Sequence, residues 1–306
     1  MSASITLIGD ITASSQSLFQ SWLDKHQIET TNKRLTNDQD SICVIRYDIS
    51  TPIEDGKHEA LRNELLTLAD ETGVDHVLQL NTPDIKVAGL AVFDMDSTLI
   101  KAEVMDELAV EMGIGEQIAA VTASAMRGEI DFTESFVQRL SLLNGLSSDV
   151  MDSVYDRIVH MDGIARLMKT LHHFGWNTAI LSGGFTYFAN RVQQDYGMTE
   201  VHANVLEIES GKLTGRHIAP IVDAKRKQIL LASLTEKYGV PKAQTIACGD
   251  GANDLLMLND AALGVALHAK PIVRQQAPCP MSQMGLDGIL YLLGMSSEEI
   301  SQINVA

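Results

Sequence analysis

The stretch Val87-Ala-Gly-Leu-Ala-Val-Phe-Asp-Met-Asp-Ser-Thr-Leu-Ile100 joins an uninterrupted apolar run to a pair of acids. The run from Val87 to Phe93 lacks the alternation of a half-exposed strand, so it predicts a central strand of a parallel sheet that is buried on both faces. Asp94 and Asp96 follow at its carboxyl end. Open α/β sheets bind ligands in the crevice beyond their strand ends. The stretch therefore predicts both the fold class and the place of the site.

Two later segments repeat this arrangement of an apolar strand followed by a polar loop. Leu181-Ser-Gly-Gly184 follows Thr178-Ala-Ile180, and Gly249-Asp-Gly-Ala-Asn-Asp254 follows Thr245-Ile-Ala-Cys248, with Lys227 between them. Alone, each loop is an ordinary turn signal, and an isolated Asp-x-Asp is common in caps and turns. Their joint occurrence at strand ends favours one shared site.

Paired carboxylates at this spacing suit phosphoryl transfer. Asp94 is the predicted nucleophile, because a carboxylate can form an acyl phosphate when the phosphoryl charge is screened. Asp96 is the predicted general acid and base, which would protonate the leaving alkoxide and then accept a proton from water. Clustered acids also need a hard cation, and Mg²⁺ prefers oxygen ligands.

The pattern Asp94-Met-Asp96-Ser-Thr98 resembles the first motif of the haloacid-dehalogenase (HAD) superfamily, and the later segments are similar to its other motifs. Three more segments resemble the phosphoserine phosphatases in particular: Glu103-Val-Met-Asp-Glu-Leu-Ala109, Phe132-Thr-Glu-Ser-Phe-Val-Gln-Arg-Leu140 and Val222-Asp-Ala-Lys-Arg-Lys227. The resemblance implies Mg²⁺-dependent hydrolysis of O-phospho-L-serine through an aspartyl phosphate, the last step of serine biosynthesis.

The resemblance also implies a metal site and a phosphate site. The implied metal ligands are Asp94, the main-chain carbonyl of Asp96, and Asp250. Asp254 would orient metal-bound water or one of these ligands without binding the metal itself. The implied phosphate-binding groups are the Ser182 hydroxyl, the Gly183 amide and the Lys227 ammonium. Lys225 and Arg226 remain rivals for the role of the lysine.

Phosphoserine carries an ammonium and a carboxylate in addition to its phosphate. A site for it needs an acid and preferably a forked guanidinium. Glu103 and Arg139 meet these needs and match family positions, and Asn253 would reach a substrate oxygen. Without the surrounding motifs, Glu103 and Arg139 would be interpreted as ordinary charged residues on the protein surface.

The organisation of the chain predicts two units. Residues 1–82 show the order βαββαβ, typical of an α+β ferredoxin-like domain, and resemble the small-molecule-binding ACT type, although its ligand motif is not evident. Packing or dimerisation is therefore an alternative to serine sensing. Residues 85–306 predict a doubly wound α/β HAD-like phosphatase domain, in which a helical cap is inserted at about residues 104–170.

Composition narrows the partners and the compartment. The 306 residues carry a formal net charge of -17, which disfavours nucleic acid and anionic membranes. No run reaches membrane-spanning length, and the first residues lack the basic start and apolar core of a targeting segment. Three cysteines without metal spacing indicate reduced thiols and a cytoplasmic location. His268 and the pair His172-His173 lack partners at metal-ligand spacing.

Other functions remain open at this point. The aspartyl phosphate could pass to another small alcohol in a phosphotransferase or mutase, or the enzyme could hydrolyse another small phosphate ester. A catalytically silent amino-acid sensor is a third interpretation, against which the intact acid pair and Lys227 argue. A homodimer is also left open.

Overall fold

The computed structural model describes residues 3–54 and 56–305. Its N-terminal part is a four-stranded antiparallel sheet in the order β2-β3-β1-β4, together with two helices. The elements are β1 (Ser4–Gly9), α1 (Ala13–His26), β2 (Thr30–Arg34), β3 (Cys43–Ile49), α2 (His58–Thr72) and β4 (Asp75–Gln79). Phe19 and Leu65 from the two helices pack on Ile5 and Leu7 of the sheet. The predicted ferredoxin-like α+β fold is confirmed.

The other face of this sheet packs against the C-terminal part of the chain. Ile8 and Val77 belong to the same apolar cluster as Leu290. The buried carboxylate of Asp75 accepts hydrogen bonds from the backbone N–H groups of Ser282 (2.7 Å) and Gln283 (2.8 Å). The N-terminal sheet is thus held to the second unit by apolar contacts and by buried hydrogen bonds.

The second unit is built on a seven-stranded sheet in the order β11-β10-β9-β5-β6-β7-β8, parallel except for the β7–β8 pair. Its strands are β5 (Leu90–Phe93), β6 (Asn177–Phe185), β7 (Glu200–Glu209), β8 (Lys212–Ile218), β9 (Thr245–Gly249), β10 (Leu263–Leu267) and β11 (Cys279–Met281). Leu90 and Val92 point into one apolar cluster, Ala91 and Phe93 into another. Both faces are therefore covered, as the unbroken apolar pattern predicts.

Four helices form a cap after β5: α3 (Val104–Met112), α4 (Gly115–Met126), α5 (Phe132–Leu142) and α6 (Val150–Arg157). The remaining helices are α7 (Ile164–His173), α8 (Thr186–Tyr196), α9 (Ala224–Lys237), α10 (Leu255–Asp260), α11 (Pro271–Gln276), α12 (Gly288–Leu292) and α13 (Ser297–Val305). The cap limit expected at about residue 170 falls inside α7, which packs mainly against β6, α8 and α13. Among the residues that the structure describes, no helix has the length and hydrophobicity needed to cross a membrane.

The central strand is shorter than the sequence predicts. Val87 is 49% exposed, and β5 begins only at Leu90. At Gly89 an added Cβ would lie 2.6 Å from the carbonyl oxygen of Gln244 and 2.6 Å from the Trp176 ring. These close contacts explain why a glycine precedes the strand.

The strand β6 contains the Ser-Gly-Gly segment instead of ending before it. Leu181 pairs with His202 and Phe185 with Asn204, so three residues of β6 lie opposite one residue of β7. Such a bulge re-aims backbone groups near a site. It frees the peptide groups of Ser182, Gly183 and Gly184 from the regular ladder.

Candidate active site

Asp94 and Asp96 lie where β5 ends, in a tight turn. The N–H of Asp94 still bonds to the Cys248 carbonyl of β9 at 2.9 Å, and Asp94 Oδ1 accepts the N–H of Met95 at 2.8 Å. The N–H groups of Thr98, Leu99 and Ile100 all bond to the Met95 carbonyl. The turn fixes the Asp94 carboxylate, which is buried, at the carboxyl edge of the sheet.

Asp96 points away from the sheet toward the start of the cap. Its Oδ1 accepts the N–H of Val104 at 3.3 Å. Its Oδ2 would lie 2.6 Å from a Cβ at Gly184, so a glycine is needed there. Burial, followed by the charges of Glu103 and Asp94, raises the pKa of Asp96 well above its usual range. A carboxyl with a raised pKa is suited to act as a general acid.

Lys227 is brought to Asp94 by α9. The Asp223 side chain caps this helix by accepting the N–H of Arg226 at 2.7 Å. Lys227 Nζ lies 2.9 Å from Asp94 Oδ1 and 2.7 Å from Asp254 Oδ1, with no exposed surface. Burial favours its neutral form, but Asp254 and Asp94 outweigh this effect and raise the pKa of Lys227. A permanent buried cation therefore contacts Asp94.

The rivals of Lys227 are placed elsewhere. Lys225 is exposed and donates to Gln228 at 2.7 Å. Neither Lys225 nor Arg226 has an ion pair with the site acids among the described residues. The geometry therefore favours Lys227 as the phosphate-site cation.

Three acids crowd the floor of the site. One carboxylate oxygen from each of Asp94, Asp250 and Asp254 lies within 4.8 Å of the others. Burial and the Asp94 charge raise the pKa of Asp250 to about 7 and that of Asp254 to about 6. Asp254 Oδ2 also accepts the Gly251 N–H at 3.0 Å. This all-oxygen set fits a hard divalent cation, whose charge would relieve the repulsion.

The phosphate-binding groups predicted from the Ser-Gly-Gly segment face this acid cluster. The Ser182 side chain is fully buried, and its Oγ accepts the N–H of Gly184 at 2.9 Å. Gly183 lines the cavity, and a Cβ added there would lie 3.5 Å from Phe132 Cζ, so this glycine faces the cap.

A cavity of about 260 Å³ separates the sheet edge from the cap. Seven of the predicted site residues line it: Asp94, Asp96, Glu103, Arg139, Gly183, Asp250 and Asn253. Ser182 and Lys227 lie behind its wall and touch it through Gly184 and Asp94. The structure thus brings every predicted site residue to one place.

The cap side of the cavity carries one carboxyl group, that of Glu103, and one guanidinium, that of Arg139. Glu103 Oε1 accepts the Ser97 hydroxyl at 2.8 Å, and burial raises the pKa of Glu103. Arg139 is half-buried on α5, and burial lowers the pKa of its guanidinium. Its Nε has only a long bond, of 3.4 Å, to the Ser135 carbonyl. The guanidinium therefore keeps donors for a ligand.

Sequence reasoning missed several residues at the site. Phe136, Met105 and Lys270 also line the cavity, and Thr98 Oγ1 donates to Asp250 at 3.4 Å. Thr98, Met105 and Phe136 lie in segments quoted in the sequence analysis, so the motifs carried a signal for them, whereas Lys270 lies outside those segments. The histidines are not part of the site: among the described residues, the one group of potential metal ligands is the aspartate cluster.

Comparisons with known proteins agree with this geometry. A family model described as haloacid dehalogenase-like hydrolase matches residues 91–259. A phosphoserine phosphatase of Streptomyces coelicolor is 43% identical over 242 residues, which are 79% of this chain and 59% of that protein. A phosphoserine phosphatase of Vibrio cholerae is 40% identical over 250 residues, covering 82% of this chain and 75% of the relative.

A solved structure agrees over nearly the whole length. The crystal structure of a probable phosphoserine phosphatase from Vibrio cholerae, in unliganded form, has a TM-score of 0.76 and 33% sequence identity. It covers 98% of this chain and 88% of its own. The likeness therefore includes the N-terminal sheet as well as the core.

Proposed function

We infer that this chain, which belongs to the haloacid dehalogenase-like hydrolases and among them to the phosphoserine phosphatases, hydrolyses O-phospho-L-serine to L-serine and phosphate. One observation carries the proposal. A single cavity holds a carboxylate in contact with a buried lysine at its floor and a Glu103–Arg139 pair at its cap side. The floor suits a phosphoryl group, and the cap side suits an ammonium and a carboxylate.

In the first step, an Asp94 carboxylate oxygen attacks phosphorus and the bond from phosphorus to the serine oxygen breaks. Asp96 gives its proton to that oxygen, so L-serine leaves as a neutral alcohol. In the second step, water attacks the phosphorus of the aspartyl phosphate and Asp96 takes its proton. The bond to Asp94 breaks, and inorganic phosphate and the free carboxylate are restored.

The remaining side chains hold the phosphoryl group. The Ser182 hydroxyl, the Gly183 N–H and Lys227 would contact its oxygens, where charge is spread in the transition state. Asp94, Asp250 and the main chain of Asp96 would bind Mg²⁺, which supplies positive charge to balance the acids and the phosphate. The oxygen-only cluster supports this choice of metal.

Glu103, Arg139 and Asn253 would recognise the serine part of the substrate. A forked guanidinium pairs well with a carboxylate, and Glu103 would accept the ammonium. We further propose a cytoplasmic location, which the three free cysteines support. A homodimer stays a prediction that sedimentation velocity would test.

The deciding experiment measures phosphate release from L-phosphoserine, phosphoethanolamine and phosphoglycolate, with and without Mg²⁺. Arg139→Ala should lower kcat/KM for phosphoserine roughly a hundredfold, because losing hydrogen bonds to a charged group costs about 2–3 kcal/mol. Phosphoethanolamine lacks the carboxylate, so its loss should be much smaller. Gln138→Ala, an exposed neighbour on α5, is the matched control. Equal losses on all three esters would reject the assignment to phosphoserine.

A further inference from the structure

Asn204, in β7, has no place in the reaction so far, yet it is 1% exposed and hydrogen-bonded at both polar atoms of its side chain. Its Nδ2 donates to the Gly183 carbonyl at 2.7 Å, and its Oδ1 accepts the N–H of Val222 at 2.8 Å. One partner can only accept and the other can only donate, so the orientation of the amide is determined. The side chain therefore joins two backbone segments that are far apart in the sequence.

The first of these segments carries the proposed phosphate donors. Because β6 bulges opposite β7, the Gly183 carbonyl is not part of the regular ladder, and the Asn204 side chain takes the place of a strand partner. The same peptide group is held at its other end by the bond from Gly184 N–H to Ser182 Oγ. Since this oxygen accepts the Gly184 N–H, the Ser182 hydroxyl keeps its own proton for a phosphoryl oxygen.

The second segment leads to the cation. Val222 precedes Asp223, which caps α9, and Lys227 follows in the first turns of that helix. Lys227 Nζ reaches Asp94 at 2.9 Å. One amide thus ties the strand that presents Ser182 and Gly183 to the helix that presents Lys227.

We propose that Asn204 is a positioning residue, which sets the separation between the phosphoryl-oxygen donors of β6 and the Lys227 ammonium. This inference rests on the proposed function only in placing a phosphoryl group in the cavity. Misplacing groups around a reacting centre by about 1 Å costs on the order of a hundredfold in rate. Replacing Asn204 should therefore weaken binding of the phosphoryl group and leave binding of the serine part at Glu103 and Arg139 nearly unchanged.

Asn204→Leu is the informative variant, because leucine has nearly the size and shape of the amide but can neither donate to the Gly183 carbonyl nor accept the Val222 N–H. With p-nitrophenyl phosphate as substrate, we expect kcat to fall about a hundredfold. Inhibition by orthovanadate, a phosphoryl mimic, should weaken by a similar factor. Inhibition by L-serine, which would contact Glu103 and Arg139, should change less than about twofold.

The control is Asn177→Leu, the same chemical change at the other end of β6, which should leave all three measurements unchanged. If Asn204→Leu does not fold, Asn204→Ser is measured in the same way, with the same expected split between vanadate and L-serine. Unchanged rate and vanadate affinity would overturn the proposal. So would equal weakening by vanadate and L-serine, which would assign Asn204 to general stability.

The design separates this inference from the choice of substrate. A parent protein that cleaved p-nitrophenyl phosphate but did not bind L-serine would overturn the phosphoserine assignment. In that case the rate and the vanadate affinity would still decide the role of Asn204, with the thermal unfolding midpoint replacing L-serine as the measure of general stability. A parent protein that bound neither vanadate nor the aryl ester would overturn both.

Discussion

Replacing Lys227 by methionine tests the electrostatics of the site most directly. The change keeps the unbranched apolar stem and removes the charge that contacts Asp94 and Asp254, at 2.9 and 2.7 Å. Two buried carboxylates then lose the cation between them. Breaking one side of a buried ion pair costs about 3–5 kcal/mol. We expect Lys227→Met to lose that much free energy of unfolding near neutral pH, without divalent cations.

The assay is equilibrium urea unfolding in the presence of a chelator, with Lys225→Met as the matched control. Lys225 is exposed on the same helix, and its replacement should change stability by no more than about 0.5 kcal/mol. The double variant Lys227→Met/Asp254→Asn should recover part of the loss, because it removes one of the unpaired charges. A cost for Lys227→Met no larger than for the control would refute the reasoning.

The loss should also depend on pH in a defined direction. Burial and Asp94 raise the pKa of Asp254 to about 6 even with Lys227 present, whereas an unfolded aspartate titrates near 3.9. Between these values the folded state binds more protons, so this group lowers stability as pH rises through the window. Without the ammonium, the pKa rises further. The penalty of Lys227→Met should therefore shrink as pH falls from 7 toward 5.

Three further changes have expected outcomes. Asp96→Asn should slow hydrolysis of phosphoserine far more than that of p-nitrophenyl phosphate, whose leaving group needs no proton; equal losses would reject Asp96 as the acid. Gly184→Ala should lower kcat at least tenfold, because its Cβ would lie 2.6 Å from Asp96 Oδ2, whereas Gly115→Ala meets no atom within 4 Å and should be neutral. Burial raises the pKa of Asp75 to about 6, so the contribution of this group to the parent's stability should fall as pH rises from about 4 to about 6. Urea unfolding across this range should show a flatter profile for Asp75→Asn, and parallel profiles would contradict the assignment.

The sequence predicts the parallel core well because its strands are buried on both faces and their polar ends carry chemistry. Asp94, Ser182 and Asp250 each follow from an apolar run that stops at a polar residue, and neighbouring parallel strands bring these ends together. The choice of Lys227 over Lys225 could not be made from spacing alone. It depends on how α9 is rotated against β5, which only the packed structure determines.

Long-range contacts set what the sequence could not predict. The start of β5 depends on Trp176 and Gln244, which pack against Gly89 from distant parts of the chain. The docking of the N-terminal sheet depends on Asp75 meeting the N–H groups after β11. Asn204 carries no motif, because its role arises only when a bulge in one strand leaves a carbonyl for the next strand's side chain. Short sequence patterns therefore do not predict such contacts.

The charges around the cavity explain how a chain with a net charge of -17 can bind an anion. Four carboxyl groups line the cavity against two cationic side chains, Arg139 and Lys270. Lys227 and Asp254 neutralise each other just behind the wall. At physiological salt, charges beyond about 8 Å are largely screened, so the substrate responds chiefly to these neighbours. A divalent cation among the acids would bring the local charge close to neutrality. Burial, and after it the repulsion among these acids, raises the pKa values of Asp96 and Asp250, and such a cation would relieve that repulsion.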